Sequence, residues 1–154
     1  ADDARLRVCL LAEMPERWRA AVTRLDALAS NHRGSRPPAR NAEYLFYQTL
    51  VAAHPIDADR AWAHMLKASR EAKEATSWLE PDQAYENDLE RFVRGMVADP
   101  AVTAESVSVV DAMTPHWQHL SLAQPPLKPP APGVPAGRQV TGPWRPVPGS
   151  EARS

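Results

Sequence analysis

The sequence predicts an all-α fold of five to seven helices over residues 1–124, followed by a proline-rich tail over residues 125–154. Three observations favour this fold class. Apolar residues recur at spacings of three and four, which is the period of one helix face. Proline and glycine interrupt the pattern where helix–helix connections are expected. No run alternates between apolar and polar residues for long enough to predict a strand.

The first two helices are predicted on either side of Pro15. Residues 2–13 form the first helix. Its apolar side is expected to carry Ala4, Val8, Leu11 and Ala12, and the apolar arc is widened by Leu6, Cys9 and Leu10. Pro15 begins the second helix, because the first helical position needs no backbone N–H donor. An apolar stripe from Trp18 to Ala29 continues this helix, which ends before Gly34.

The third and fourth helices each follow a polar residue that is suited to capping. Asn41 is predicted to cap the third helix, which runs to Ala53. This helix is apolar or aromatic on nearly every side, so we expect it to be buried or covered on two faces. Asp57 is predicted to cap the fourth helix, which runs from Ala58 to about Ala75.

The remaining helices are delimited by prolines. Pro81 is predicted to open the fifth helix, which stops at Asp99 and Pro100. A sixth helix is expected over residues 103–113, although its valines also have some strand character. Pro115 is then predicted to start a separate short helix toward Gln124.

The tail differs in composition from the rest of the chain. Nine of the 16 prolines lie between Pro125 and Pro148. Prolines remove backbone donors and fix φ, so we predict a disordered or polyproline-like segment over residues 125–154. The abrupt enrichment in proline, glycine and arginine leads to the hypothesis that the tail is out-of-frame or decayed coding sequence.

Composition excludes several classes of function. The formal net charge is −1, so no basic field exists to attract nucleic acid or an anionic membrane surface. No stretch approaches the roughly 18–20 apolar residues that a membrane span requires. Cys9 is the single cysteine, which precludes an internal disulfide and favours a cytoplasmic location.

No motif by itself indicates catalysis, a metal or a cofactor. His116 and His119 are spaced to share a helix face, but no further ligand follows at a suitable spacing, so we predict no metal site. The sequence contains no glycine-rich phosphate loop and no nucleophile elbow. We therefore expect no cofactor. The acidic residues alternate with basic ones along predicted helices, which is typical of solvated faces.

Two blocks combine polar and aromatic residues, and each allows two interpretations. The first is the segment RNAEYLFYQTL, residues 40–50, and the second runs from Lys73 to Trp78. Both are consistent with core or junction segments whose polar groups satisfy neighbouring loops. They also allow a second interpretation as one wall of a sugar cleft, where amides and hydroxyls bind sugar hydroxyls and aromatic rings stack on sugar rings.

The same blocks resemble a known family. Residues 40–50 are very similar to a signature of maltooligosyl trehalose synthases, also called (1→4)-α-D-glucan 1-α-D-glucosylmutases, in the α-amylase superfamily. Residues 71–78 match the family pattern "EAK..TSW", and residues 81–86 match "PD..YE". Residues 121–124 and 131–135 resemble "SLAQ" and "APGVP". After residue 124, prolines interrupt the helix that the family pattern continues.

The resemblance implies a (β/α)₈-barrel enzyme of which this chain is the helical subdomain before the last barrel strand. The implied reaction is an isomerisation: intramolecular transglucosylation converts the reducing-end α-1,4 linkage of a maltooligosaccharide to an α,α-1,1 linkage in trehalose biosynthesis. The family's catalytic carboxylates precede the matching segment, so no catalytic residue is carried over. Seven residues match family motif positions and are candidates for substrate or interdomain contact: Asn41, Glu43, Tyr44, Tyr47, Lys73, Ser77 and Trp78.

Three hypotheses follow from the sequence. The first is a fragment of a maltooligosyl trehalose synthase that is inactive alone, with maltooligosaccharide as the substrate of the intact enzyme and the barrel portion as its partner. The second is a stand-alone helical module that binds maltooligosaccharide or another protein. The third is a structural helical domain without a ligand.

Overall fold

The computed structural model describes residues 2–123, within which six α-helices follow one another without a strand. They are α1 (Asp2–Glu13), α2 (Pro15–Ala29), α3 (Arg40–Ala52), α4 (Ala58–Ala72), α5 (Gln83–Ala98) and α6 (Pro100–Ala123). The all-α prediction is confirmed over this range. The prediction for the tail over residues 125–154 lies outside the described residues.

Helix α3 is the centre of the fold, as its apolar composition predicts. It contacts α1, α2, α4 and α6. Phe46 is fully buried, and its ring meets that of Phe92 on α5 edge-on, with 5.8 Å between the ring centroids. Such edge-to-face pairs stabilise a core beyond the apolar area that they bury. Among the aromatic residues of α3, Tyr44 is the one that is exposed.

Helices α4 and α5 form an antiparallel pair that is joined by polar contacts at both ends. Asp59 near the start of α4 accepts a hydrogen bond of 2.8 Å from Arg94 near the end of α5. At the other end, Arg70 near the end of α4 donates two hydrogen bonds to Glu86 near the start of α5. The connection between α4 and α5 is therefore held close to both helices.

Helices α2 and α6 also run antiparallel. The guanidinium group of Arg24 makes a two-point contact with the Glu105 carboxylate, at 2.8 and 2.7 Å. Further toward the start of α2, Arg17 donates to the backbone carbonyl of Ser108, at 3.1 Å. These contacts place the first half of α6 along α2.

Helix α1 buries only part of the apolar arc that was predicted. Leu10 and Leu11 are buried, whereas Val8 and Ala12 are exposed. Arg7 donates hydrogen bonds to carbonyl oxygens at and just after the end of α3, including a 2.6 Å bond to His54. The rotation of this weakly amphipathic helix is decided by its contacts with α3 and α6 rather than by its own pattern.

Aspartate side chains cap the later helices. Asp57 accepts a hydrogen bond from the Arg60 N–H at 2.9 Å, which confirms the predicted cap of α4. Helix α5 begins at Gln83 rather than at Pro81, because Asp82 is the residue whose side chain accepts the Tyr85 N–H. Asp99 ends α5, and its side chain accepts the Ala101 N–H at the start of α6.

Two predicted boundaries of the third and fourth helices were wrong. Asn41 does not cap α3: the helix begins at Arg40, and Ala39 precedes it without a side-chain cap. The Asn41 amide donates instead to Glu74, at 2.7 Å, so a tertiary partner replaces the expected local one. Helix α4 ends at Ala72 rather than near Ala75, because Lys73 adopts a left-handed backbone conformation with φ of 56°.

Helix α6 is one continuous helix through Pro115, and the prediction of two separate helices over this region was wrong. The φ angle that a proline ring fixes is compatible with a helix, but the proline removes one backbone hydrogen bond and its ring crowds the carbonyl four residues earlier. Val109 and Met113 are buried against the core in the turns before Pro115. Their packing supports the helix at the point where the backbone pattern is interrupted.

Candidate functional site

The seven motif residues fall into two groups on the structure. Glu43, Tyr44 and Tyr47 project from α3 toward α2. The second group surrounds the connection between α4 and α5 and comprises Asn41, Lys73, Ser77 and Trp78. The two blocks of the sequence do not coincide with these groups, because Asn41 of the first block lies beside the second.

Glu43 is the centre of the first group. It is buried, and its carboxylate accepts hydrogen bonds from Arg33, including one of 3.1 Å from Nε, and from the Tyr47 hydroxyl. Burial, followed by the hydrogen bond to Glu43, raises the pKa of Tyr47 well above its usual range. Tyr47 therefore stays protonated and keeps donating to Glu43 across neutral and moderately alkaline pH.

Tyr44 is the exposed member of the first group. Its hydroxyl oxygen accepts a 2.9 Å hydrogen bond from the indole N–H of Trp18, and the two rings are tilted at 56° with centroids 6.2 Å apart. Tyr44 is 44% exposed, whereas Trp18 is buried. The buried indole thus fixes the orientation of a phenol ring that faces solvent.

The first group borders an open groove of about 480 Å³ between α2 and α3. Its polar lining includes two arginines, Arg33 and Arg40, together with Glu43, Tyr44 and Tyr47. Arg33 also pairs with Asp26 on α2, so the groove has a charged wall with fixed hydrogen-bond directions. A groove of this size with several polar groups is suited to a hydroxyl-rich ligand or to a polar segment of another domain.

The second group is organised by a buried carboxylate, Glu86. Arg70 donates to it at 2.8 and 2.7 Å, and the Thr76 hydroxyl donates at 2.6 Å. The hydrogen bonds from Arg70 hold the pKa of Glu86 below its usual value despite the opposing effect of burial. This arrangement links the end of α4, the connection and the start of α5.

Trp78 is presented to solvent by this arrangement. The guanidinium carbon of Arg70 lies 4.9 Å from the centroid of the Trp78 ring, which is within the range of a cation–π contact. The Trp78 side chain nevertheless remains 55% exposed. Trp78 lies within a short turn in which Ser77 and Glu80 exchange hydrogen bonds, including one of 2.9 Å from the Glu80 N–H to the Ser77 hydroxyl.

Lys73 and Asn41 serve different structural purposes in the second group. Lys73 ends α4, and its exposed side chain follows the left-handed turn of the backbone. Asn41 reaches across from α3 to Glu74 in the connection. Of the four members, Ser77 is engaged in the local turn, and Trp78 is the one that presents a large apolar surface to solvent.

Two carboxylates border the groove between α2 and α3, but their contacts do not resemble an acid–nucleophile pair. Asp26 and Glu43 both accept hydrogen bonds from the same Arg33 guanidinium. A general acid must carry a proton that it can donate, whereas both groups here act as acceptors in a shared ion pair. The groove is also open to solvent, so it does not exclude water from a reacting sugar.

The partners that support both groups were not predicted from the sequence. Arg33 lies in a predicted loop, and nothing in its sequence context points to Glu43. Glu86 and Thr76 did carry a signal, because both belong to the family patterns around residues 71–86. Arg70 was treated as part of a solvated helix face, and its pairing with Glu86 depends on the antiparallel arrangement of α4 and α5.

Among the described side chains, those of residues 3–115, no group of three or more His, Cys, Asp or Glu is arranged to hold a metal ion. The pair His116 and His119 lies outside the described side chains. Among the described helices, none combines the length and the apolar character needed to cross a membrane.

The fold and the two clusters identify the class of protein as a helical unit whose polar and aromatic surface groups are held in place by buried ion pairs. No protein-family model matches the chain. Two curated Mycobacterium tuberculosis proteins, from strains CDC 1551 and H37Rv and provisionally named maltooligosyl trehalose synthase, are each 27% identical to it over 150 residues. This match covers 93% of the chain and 19% of each relative.

A solved structure extends the comparison. A mutant of maltooligosyltrehalose synthase from Arthrobacter ramosus shares the fold with a TM-score of 0.63 and 38% sequence identity, over 74% of this chain and 14% of that chain. The chain thus spans about a fifth or less of the length of these relatives. The predicted resemblance is confirmed: the chain is related to maltooligosyl trehalose synthases over the helical segment that it matches.

Proposed function

We propose that this chain is a helical segment of a maltooligosyl trehalose synthase and forms one flank of its sugar cleft. In the reaction implied by the resemblance, the reducing-end α-1,4 linkage of a maltooligosaccharide becomes an α,α-1,1 linkage. The observation that supports this role best is the placement of the motif residues. Glu43, Tyr44 and Trp78 are each oriented by a buried or half-buried partner rather than lying free on the surface.

The chemistry of the reaction assigns this segment a supporting role. Retaining transfer between sugars needs a carboxylate nucleophile and a carboxylic general acid about 5–5.5 Å apart. The ion-paired carboxylates of the groove between α2 and α3 do not provide such a pair. We therefore propose that the catalytic carboxylates belong to the barrel portion of the enzyme, and that this segment binds and orients the sugar chain.

Cleft walls of this kind contribute by positioning and by excluding water. A glucose unit that has been released from its α-1,4 linkage must be retained and reattached before water attacks the intermediate. Hydroxyl, amide and aromatic groups on a rigid helical wall restrict the orientation of that unit. The hydrogen-bonded set Arg33, Glu43 and Tyr47 is rigid in this sense, since each member is held by at least one other.

A chimeric enzyme tests this proposal. The segment of the Arthrobacter ramosus enzyme that matches this chain would be replaced by residues 2–123, and product formation from maltopentaose would be followed by chromatography. We expect the chimera to form a product with a non-reducing trehalose end, because the transplanted wall restores the same contacts. The isolated chain, assayed in parallel, is expected to form none.

Two different outcomes would each contradict one part of the proposal. A folded but inactive chimera would contradict the assignment of this chain to the cleft wall. Conversion of maltopentaose by the isolated chain would contradict the placement of the catalytic carboxylates elsewhere. A chimera that carries the matching segment of a Mycobacterium tuberculosis relative provides the control for the effect of replacing the segment.

The exposed indole of Trp78 favours a second candidate function, a maltooligosaccharide-binding module that acts without the barrel. In that case Trp78→Ala in the isolated chain should weaken maltooligosaccharide binding about three- to tenfold, the order of one aromatic stacking contact. Isothermal titration calorimetry with maltoheptaose measures this effect. Leu79→Ala is the matched control, because Leu79 is adjacent and 91% exposed but lacks a ring. Equal losses in both variants would argue against stacking.

A further inference from the structure

Three residues of α3 form a solvent-accessible stripe along the helix: Arg40, Tyr44 and Gln48. Their spacing of four residues places them one above another on the same helix face. Arg40 and Tyr44 are exposed and Gln48 is half-buried, so a ligand can reach all three side chains. The stripe is about 12 Å long from Arg40 to Gln48, because each helical residue adds about 1.5 Å.

Two open grooves meet along this stripe. Arg40 and Tyr44 line the groove of about 480 Å³ between α2 and α3. Tyr44 and Gln48 line a second groove of about 590 Å³, between α1, α2 and α3. Val22, Thr23 and Tyr44 line both grooves, so the two are continuous. An elongated ligand that lies along α3 can therefore contact the whole stripe.

The two grooves differ in polarity. Apolar side chains form much of the wall of the larger groove: Val8, Leu11, Ala12, Pro15, Trp18 and Val22. The other groove is lined by two arginines, Arg33 and Arg40, and by two carboxylates, Asp26 and Glu43. These charges balance, so the groove has no net charge with which to select an anion. The stripe therefore suits a neutral ligand with apolar faces and many hydroxyl groups, which is the combination that a pyranose ring offers.

Arg40 is the member of the stripe whose charged group is not used by the fold. Both carboxylates of the charged groove bind Arg33. In the part of the chain that the structure describes, the Arg40 side chain makes no ion pair and no hydrogen bond. A guanidinium group has five N–H donors in a planar fork, so it can donate to neighbouring hydroxyl oxygens of a sugar.

Tyr44 presents a ring and a hydroxyl group whose positions are fixed. The phenol oxygen accepts the indole N–H of Trp18 at 2.9 Å. Within the described residues, the Tyr44 hydroxyl donates to no acceptor, so its proton is available to a ligand. The ring offers an apolar surface for the C–H groups of a sugar. Gln48, one turn further along, adds an amide that both donates and accepts hydrogen bonds.

We propose that the stripe of Arg40, Tyr44 and Gln48 is a subsite for an α-1,4-glucan chain that lies along α3. One glucose ring packs on Tyr44, and the Arg40 guanidinium and the Gln48 amide bind hydroxyl groups of the glucose units on either side. The assignment rests on the proposed function, since it names the part of the cleft wall that holds the maltooligosaccharide. It gives binding roles to Arg40 and Gln48, which had none.

Nuclear magnetic resonance titration of the full 154-residue chain with maltotriose and methyl α-D-glucopyranoside tests the assignment. We expect maltotriose to shift the amide signals of α3 saturably and to bind at least threefold more tightly than the glucoside, because only the longer sugar reaches both ends of the stripe. Arg40→Ala and Gln48→Ala should each weaken maltotriose binding about three- to tenfold, the order of one hydrogen bond, and reduce the preference over the glucoside. Tyr44→Ala should weaken the binding of both sugars.

Arg60→Ala is the matched control for Arg40→Ala. Arg60 is an exposed arginine in the first turn of α4, as Arg40 is in the first turn of α3, and its replacement should leave sugar binding unchanged. Circular dichroism verifies that each variant folds. Arg40→Ala changes an exposed side chain, so it tests the assignment even if Tyr44→Ala, which leaves the Trp18 indole unpaired, does not fold.

Four results would overturn the assignment: equal binding of maltotriose and the glucoside, unchanged maltotriose binding in either Arg40→Ala or Gln48→Ala, an equal loss in Arg60→Ala, or no shift with either sugar. Tighter binding of methyl α-D-glucuronide than of maltotriose, lost in Arg40→Ala, would also overturn it by identifying an anion site. An active chimera with any of these results would leave the proposed function intact. An inactive chimera with the expected binding would contradict the proposed function and leave the subsite.

Discussion

Replacing Glu86 by alanine is expected to destabilise the chain by about 3–5 kcal/mol, the order seen when one partner of a buried ion pair is removed. Glu86 is 2% exposed, and it accepts hydrogen bonds from Arg70 and Thr76. Without it, the Arg70 guanidinium loses its buried counter-charge and the Thr76 hydroxyl loses its acceptor. Urea unfolding of the full chain, followed by circular dichroism, measures the loss.

The control for this prediction lies one turn along the same helix. Glu90 pairs with Arg94 at the surface of α5, and Glu90→Ala should cost less than about 1 kcal/mol. A similar loss of stability in Glu86→Ala and Glu90→Ala would show that the charge of the helix, rather than the buried ion pair, accounts for the effect. The loss of stability in Glu86→Gln should lie between those of Glu86→Ala and Glu90→Ala, because the amide keeps hydrogen-bonding capacity and loses the charge.

The stabilising contribution of Glu86 is expected to depend on pH in the acidic range. Its pKa in the folded chain is lowered below the usual value of a glutamate, mainly by the hydrogen bonds from Arg70. A carboxylate whose pKa falls on folding stabilises the folded state above its unfolded pKa, and this contribution is lost as pH falls through the folded pKa. The stability gap between the native chain and Glu86→Gln should therefore be full at neutral pH and narrow below about pH 4.5.

Glu43→Ala is expected to cause the second largest loss, about 2–4 kcal/mol. The variant removes the buried acceptor for both Arg33 and the Tyr47 hydroxyl, and Tyr47 is only 3% exposed. We place the loss below that for Glu86, because Glu43 is the less buried of the two carboxylates and Arg33 keeps its contact with Asp26. Thermal and urea unfolding measure the change.

Asp26→Ala provides the matched control, since Asp26 binds the same guanidinium from the surface side. Its side chain is 60% exposed, so the expected cost is below about 1 kcal/mol. In the chimeric enzyme, Glu43→Gln further separates a structural role from a binding role. An increase in KM for maltopentaose without a loss of stability would indicate sugar contact in the groove, and a loss of stability alone would indicate a structural role.

The two clusters share an arrangement of side chains that is relevant to the proposed function. In each, a buried carboxylate binds an arginine, and the cluster includes an aromatic ring at a motif position: Tyr47 with Glu43, and Trp78 with Arg70. A wall built in this way keeps its side chains oriented without a ligand. Such preorganisation reduces the entropy lost when a flexible sugar chain binds.

Local features of the sequence predicted much of the helical framework. The apolar period marked the positions of α2, α3, α4 and α5, since one face of each helix must be buried. Asp57 and Pro15 marked two helix starts correctly, because capping and the missing proline N–H act within a single turn. The family patterns also identified residues 40–50 and 71–86 as the informative blocks.

The site was predicted less completely, because its partners are distant in sequence. No pattern in the neighbouring sequence indicates that Arg33 binds Glu43 or that the Asn41 amide reaches Glu74. Each of these features appears only when two helices are placed side by side.

By itself, then, the sequence determined the helical class, the approximate elements and the family resemblance, since these depend on periodicity, capping and residue order. Tertiary structure decided which side of α1 is buried, that α6 continues through Pro115, and which carboxylates are structural. The physical reason is the range of the interactions. Helix propensity and capping act over a few residues, whereas burial and ion pairing depend on neighbours that the fold brings together.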